Sequence, residues 1–169
     1  MVKKIIWSLV FILAAALLQS TIFSRLEIYV QAIPDIALCI LVYVAYVNGA
    51  MTGQLTGFFS GLILDFLSSA PLGLNSFIRT LIGGSAGFMK GTFYLDPFFL
   101  PMALCAGATI LKAVVIYLLH LFFKGSIPAY SLFNLTLWVE LGMNTLLAPA
   151  LFAFLKLFQT LLAGTRENA

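Results

Sequence analysis

Residues 98–123 read FFLPMALCAGATILKAVVIYLLHLFF, a stretch of 26 residues in which Lys112 is the one acidic or basic residue apart from His120. About 20 apolar residues are enough for an α-helix to cross the hydrocarbon core of a bilayer. The rest of the chain has the same character, since 62% of its 169 residues are hydrophobic and 9% are charged. A water-soluble domain has about a quarter of its residues charged. The sequence therefore predicts an all-α, polytopic integral membrane protein.

Short polar or proline-containing turns divide the chain into about six apolar spans. We predict these spans at residues 5–23, 33–47, 50–67, 75–94, 98–123 and 132–157. The first span could also be the apolar region of a signal peptide, but hydrophobicity resumes directly after it, which favours a retained helix. Residues 1–163 are then a single transmembrane domain, and residues 164–169 form a short polar tail.

The distribution of basic residues predicts the orientation in the membrane. Six spans place both termini on one side, and positively charged residues are enriched on the cytoplasmic side. With cytoplasmic termini, the outer face carries Arg25 and Lys124. The inner face then carries the larger set, namely Lys3, Lys4, Lys90, Lys156 and Arg166. We therefore predict cytoplasmic N and C termini.

Glycines recur every four residues in the third and fourth spans. Residues four apart lie on one face of a helix, and rows of small residues let helix backbones approach closely in a membrane. These rows predict either internal packing of the two spans or a groove for the helix of a partner protein. The rows consist of Gly49, Gly53, Gly57 and Gly61 in the third span and Gly83, Gly87 and Gly91 in the fourth.

A few charged and polar residues interrupt the spans. An isolated charge costs about 3 kcal/mol at the centre of a membrane helix, and Asp65 and Arg79 fall at similar depths on consecutive spans. We therefore predict an ion pair between them, which either fixes this helical hairpin or belongs to a polar site for a ligand or a partner's side chain. The wider candidate cluster in the outer half of the membrane is Asp35, Asp65, Asn75, Arg79 and Glu140.

The sequence argues against catalysis. Residues 83–87, GGSAG, match the G-x-S-x-G string of serine hydrolases, but that motif requires a turn between a strand and a helix, and here it lies within a predicted helix. The one histidine, His120, falls at a different depth from Ser85. We predict no enzymatic activity, no metal site and no cofactor. The scattered basic residues form no patch for nucleic acid.

Three segments resemble the bacterial rod shape-determining protein family MreD. They are Pro34-Asp35 at the start of the second span, residues 57–65 (GFFSGLILD) and residues 68–75 (SSAPLGLN). Asp35, Asp65 and Asn75 occupy positions of the family's motifs. Length, number of spans and order of polar turns are also similar, and the resemblance implies a fold like that of the substrate-binding subunits of energy-coupling-factor transporters.

The resemblance implies a non-enzymatic scaffold subunit of the cell-elongation complex in the bacterial inner membrane, with a role in cell shape and peptidoglycan synthesis. The implied partners are the bitopic protein MreC, the cytoskeletal protein MreB, and a RodA-type glycosyltransferase with its class B penicillin-binding protein. The alternative is a substrate-binding subunit of a vitamin-type transporter. Such subunits dock through alanines spaced by four, whereas Ala14, Ala15 and Ala16 are adjacent here.

Overall fold

The computed structural model of the protein describes residues 2–22, 33–68, 70–91, 98–123 and 135–162. These parts of the chain form helices connected by short turns. The helices are α1 (Val2–Ile22), α2 (Ile36–Asn48), α3 (Ala50–Leu67), α4 (Leu74–Phe88), α5 (Phe99–Phe122), α6 (Leu135–Leu157) and α7 (Gln159–Leu162).

Three of the described helices, α1, α5 and α6, are long and apolar enough to cross a membrane. Large hydrophobic side chains such as Val10, Phe122 and Leu146 are exposed on them, as expected for surfaces that face lipid rather than water. The protein is therefore a helical membrane protein. The count of six spans stays a prediction, because α2 and α4 are shorter than the roughly 20 residues of a full span.

The centre of the bundle is α2. It is in contact with α1, α3, α4, α5 and α6, and all nine residues from Ala37 to Ala45 are buried. A helix that is apolar on every side belongs in the interior, and this one is surrounded by its neighbours. With 13 residues, α2 is about 20 Å long at 1.5 Å per residue, which is shorter than the roughly 30 Å hydrocarbon core.

The most extensive helix pair is the α3–α4 hairpin, in which the two glycine rows face each other. A Cβ atom placed on Gly53 would overlap the Gly83 carbonyl, and one on Gly57 would overlap the Arg79 carbonyl. Gly61 lies against the Ser76 backbone in the same way. The glycines thus permit direct backbone contact between α3 and α4, which is the internal-packing alternative rather than an open groove for a partner.

Gly87 of α4 belongs to the same interface, because it packs against the backbone of Ala50, the first residue of α3. The glycines at the two outer ends of the rows have other surroundings. Gly49 and Gly91 adopt positive φ angles of 102° and 73°, a backbone conformation that favours glycine, and they occupy turns at the ends of helices. Gly91 has open space around it and therefore takes no part in helix packing.

Three predicted helix boundaries were wrong by three or more residues. The first span was expected to begin at residue 5, but α1 begins at Val2. The second span was expected to begin at residue 33, but α2 begins at Ile36 because Asp35 serves as its N-cap: the Asp35 side chain accepts a hydrogen bond from the Leu38 backbone N–H. The fourth span was expected to reach residue 94, but α4 ends at Phe88, before the positive φ of Gly91. The predicted polar tail, residues 164–169, lies outside the described residues.

Candidate functional site

A network of four charged side chains lies at the N-terminal end of α2. Arg79 on α4 donates from Nη2 to Asp35 Oδ1 at 2.9 Å. Lys112 on α5 donates from Nζ to Asp35 Oδ2 at 3.0 Å and to Glu140 Oε1 on α6 at 2.6 Å. Two cations thus alternate with two carboxylates, so the network is neutral overall and joins four helices.

Because the network is largely buried, the free energy of unfolding depends on each of its members. The side chains of Arg79, Asp35 and Glu140 are 6%, 13% and 11% exposed. Removing charges from water is costly, and only close pairing with further hydrogen bonds offsets that cost. Loss of any one member would leave an uncompensated charge in the bundle.

Neutral polar side chains continue the network from the backbone of Asp35 into α6 and α5. The Asn144 Oδ1 atom accepts from the Asp35 backbone N–H at 2.8 Å, and Asn144 Nδ2 donates to Thr109 Oγ1 at 3.0 Å. Thr109 in turn donates to the Cys105 carbonyl. Asn144 and Thr109 are both almost fully buried, so this chain of hydrogen bonds holds α5, α6 and the start of α2 in one arrangement.

Asp65 has a separate role at the turn between α3 and α4. Its two carboxylate oxygens accept from the backbone N–H groups of Gly73, Asn75 and Ser76 at 2.9–3.1 Å. They also accept from Asn75 Nδ2 at 3.0 Å and Ser76 Oγ at 3.1 Å. The free N–H groups at the start of a helix need acceptors, and a negative charge is favourable there. Asp65 therefore caps α4 from the end of α3.

A cavity of about 280 Å³ lies beside the network. Asp35 and Arg79 contribute to its polar side, and its lining also includes Asn75, which links it to the Asp65 cap. Its apolar side includes Ala16 of α1 and Leu64 of α3. The cavity thus lies where α1, α3 and α4 meet over the start of α2.

Two buried polar atoms of this cavity have no hydrogen-bond partner among the described residues. They are Nη1 of Arg79 and Oε1 of Gln19, and both residues line the cavity. A buried donor or acceptor without a partner costs roughly 1–3 kcal/mol, and more if it is charged. The cavity therefore contains one unsatisfied donor and one unsatisfied acceptor.

The structure brings together three of the five residues of the predicted cluster. Asp35, Arg79 and Glu140 share one network through Lys112, whereas Asp65 and Asn75 form the neighbouring cap. The predicted ion pair between Asp65 and Arg79 was wrong, because Arg79 pairs with Asp35 and Asp65 is bonded to neutral donors. The predicted depth in the membrane could not identify which aspartate pairs with Arg79, because Asp35 and Asp65 both lie near the same end of the bundle.

Sequence reasoning omitted Lys112, Asn144 and Thr109 from the cluster. The spacing of these residues could have indicated them. Thr109 and Lys112 are three residues apart and Glu140 and Asn144 are four apart, and residues at these spacings lie on one helix face. Among the described residues, no group of three or more His, Cys, Asp or Glu side chains is placed to hold a metal ion.

Comparison with protein-family models matches residues 1–158 to the family described as rod shape-determining protein MreD. The chain belongs to the MreD family. Family membership indicates a role in rod-shape determination, in association with the MreB and MreC machinery at the membrane. Its apolar helices and its family together indicate a bacterial inner-membrane protein.

The comparison with curated proteins finds no significant match. The search of solved structures finds none either. The likeness to transporter substrate-binding subunits therefore stays a prediction for this MreD-family chain.

We expect Asp65→Ala to destabilise this MreD-family protein by about 2–3 kcal/mol, because it leaves several N–H and O–H groups at the start of α4 without an acceptor. Asn75→Ala should cost less, since Ser76 and the backbone donors still satisfy Asp65. Thermal unfolding in detergent measures both. Equal melting temperatures for the Asp65→Ala variant and the unaltered protein would contradict the capping role.

Proposed function

We propose that the chain is a non-enzymatic scaffold subunit of the bacterial cell-elongation complex, with a role in the regulation of cell shape and peptidoglycan synthesis. The observation that carries this proposal is the family match over residues 1–158. The described residues agree with a scaffold, because Asp35, Arg79, Lys112 and Glu140 are bonded to one another across four helices. Such bonds stabilise one arrangement of the bundle.

The direct partner in this proposal is a bitopic MreC-like protein, bound through its transmembrane helix. MreB, a RodA-type glycosyltransferase and a class B penicillin-binding protein belong to the same complex. The glycine rows of α3 and α4 pack against each other and are not open to a third helix. In this proposal the partner's helix therefore binds at another surface of the bundle.

We propose an orientation with both termini in the cytoplasm. Two contacts locate the end of the described chain in the bundle: Phe158 packs against Phe11, near the middle of α1, with ring centroids 5.2 Å apart, and Asn48, at the end of α2, donates from Nδ2 to the Leu162 carbonyl at 2.9 Å. The end of the described chain therefore lies beside α1. The excess of basic residues near the two termini favours the cytoplasmic side for this end.

The rival function is a substrate-binding subunit of a vitamin-type transporter. Its distinguishing feature would be a small molecule bound near the polar network. The cavity of about 280 Å³ lies just under the roughly 300–1,000 Å³ of typical small-molecule sites. Neighbouring genes discriminate between the two: an adjacent MreC-like gene supports the scaffold, whereas adjacent transporter ATPase genes support the rival.

We expect depletion of this protein in its own bacterium to cause loss of rod shape, because the elongation complex would lack one of its membrane subunits. Expression of the unaltered chain should restore normal cell width, and the chain should co-purify with the MreC-like protein. Cell width is measured by microscopy, and co-purification by mass spectrometry after detergent extraction. Normal rods after depletion, or co-purification with transporter ATPases instead, would refute the scaffold function.

A further inference from the structure

The cavity between α1, α3 and α4 contains an incompletely bonded arginine. The Arg79 side chain is 6% exposed and its Nη2 atom is bonded to Asp35, while Nη1 has no partner. A guanidinium group has five N–H donors in a fixed planar arrangement, and the second oxygen of Asp35 is bonded to Lys112 rather than to Nη1. The Nη1 donor is therefore available to an acceptor from outside the described part of the chain.

The lining of the same cavity also contains an acceptor without a described partner. Gln19 of α1 places Oε1, a buried acceptor without a partner, in the lining. One group that both accepts and donates hydrogen bonds would satisfy Arg79 and Gln19 together. Carboxamides and hydroxyl groups have this property.

The surrounding charges also disfavour an anion. Arg79 and Lys112 are already balanced by Asp35 and Glu140. Asp65 adds a third carboxylate nearby, and its described bonds are to neutral donors. An incoming carboxylate would therefore be a fourth anion against two cations in a low-dielectric site, where like charges repel strongly. A neutral polar group carries no such penalty.

We propose that this cavity is a socket for one neutral polar side chain, a carboxamide or a hydroxyl, from the transmembrane helix of the partner. This inference rests on the proposed function. Polar side chains that bond between helices are a main source of specific association in membranes, where lipid tails remove most of the hydrophobic drive. The remaining apolar lining, with Ala16 and Leu64, suits the aliphatic part of such a side chain.

The first test fills the socket. Ala16→Phe projects a ring into the cavity from α1, and Ala14→Phe is the matched control, since Ala14 is exposed on the same helix. We expect Ala16→Phe to weaken binding of the MreC-like partner at least tenfold, the effect of losing one hydrogen bond to a charged group. Ala14→Phe should bind normally, and both variants should keep the melting temperature of the unaltered protein.

The second test removes the acceptor. Gln19→Ala eliminates an unsatisfied buried oxygen, so the isolated protein should be as stable as before or slightly more stable, yet bind its partner several-fold more weakly. A purely structural role for Gln19 would instead leave binding unchanged. A small probe, Ala16→Cys, leaves the cavity largely open and should form an oxidative cross-link to a cysteine introduced in the partner's transmembrane helix, whereas Ala14→Cys should not.

The outcomes separate the socket from the scaffold function. If the unaltered chain does not bind the MreC-like protein, the proposed function fails. If it binds and Ala16→Phe binds equally well, the socket is overturned while the scaffold function stands. Failure of Ala16→Cys to cross-link to any cysteine position in the partner's helix likewise overturns the socket.

Discussion

Replacing Asp35 with alanine will destabilise the protein by about 3 kcal/mol or more, the range for removing one member of a buried ion pair. The change leaves Arg79 without its carboxylate, leaves Lys112 with Glu140 alone, and removes the N-cap of the central helix α2. Thermal and denaturant unfolding in detergent measure the loss. Partner binding should fall in parallel, because the network forms one side of the cavity.

A double-mutant cycle assigns the partner of Arg79. The coupling free energy between Asp35→Ala and Arg79→Ala should exceed about 1 kcal/mol, as for residues in one salt-bridge network. The cycle between Asp65→Ala and Arg79→Ala serves as the matched control, and its coupling should be smaller because these two side chains have different partners. A larger coupling with Asp65 would show that the network described here is not the one that stabilises the protein.

Gly57→Leu will prevent stable folding of the bundle. Any side chain at this position overlaps the Arg79 carbonyl on α4, and backbone atoms cannot move aside as a flexible side chain can. Overpacking a core costs about 1–3 kcal/mol even when side chains yield, so the cost here should be above that range. Gel-filtration profiles and melting temperatures in detergent detect the failure.

Gly142→Leu is the matched control for this substitution. Gly142 lies within α6, and a Cβ placed there meets no atom within 4 Å. The variant should fold and melt like the unaltered protein. If Gly57→Leu also folds normally and loses only partner binding, the glycine rows are an external docking groove, contrary to the packing described above.

Several parts of the fold could be predicted from sequence for clear physical reasons. The apolar stretch 98–123 predicted α5 within one residue at each end, because a membrane helix needs only length and hydrophobicity. The glycine spacing predicted that α3 or α4 approaches another backbone closely. It could not identify that backbone, since the same row of glycines suits an internal neighbour and a partner.

The candidate site was harder to predict because it depends on how helices are arranged around α2. Asp35 and Arg79 are 44 residues apart and Asp35 and Lys112 are 77 apart, so no local pattern connects them. Asp65 was placed with Arg79 on the basis of depth, although the following residues, Gly73 to Ser76, provide the donors that occupy it. Whether Asp65 can cap α4 depends on the backbone conformation of the turn between α3 and α4. The spacing of apolar residues in the sequence does not reveal that conformation.

The ion network also sets an order of events during synthesis on the ribosome. Asp35 emerges first, Arg79 and Lys112 follow, and Glu140 comes more than a hundred residues after Asp35. A lone carboxylate is costly in the hydrocarbon, so we expect α2 to reach its final depth only after α4 and α5, which carry Arg79 and Lys112, have been translated. The central helix of the bundle is then among the last to take up its packed position.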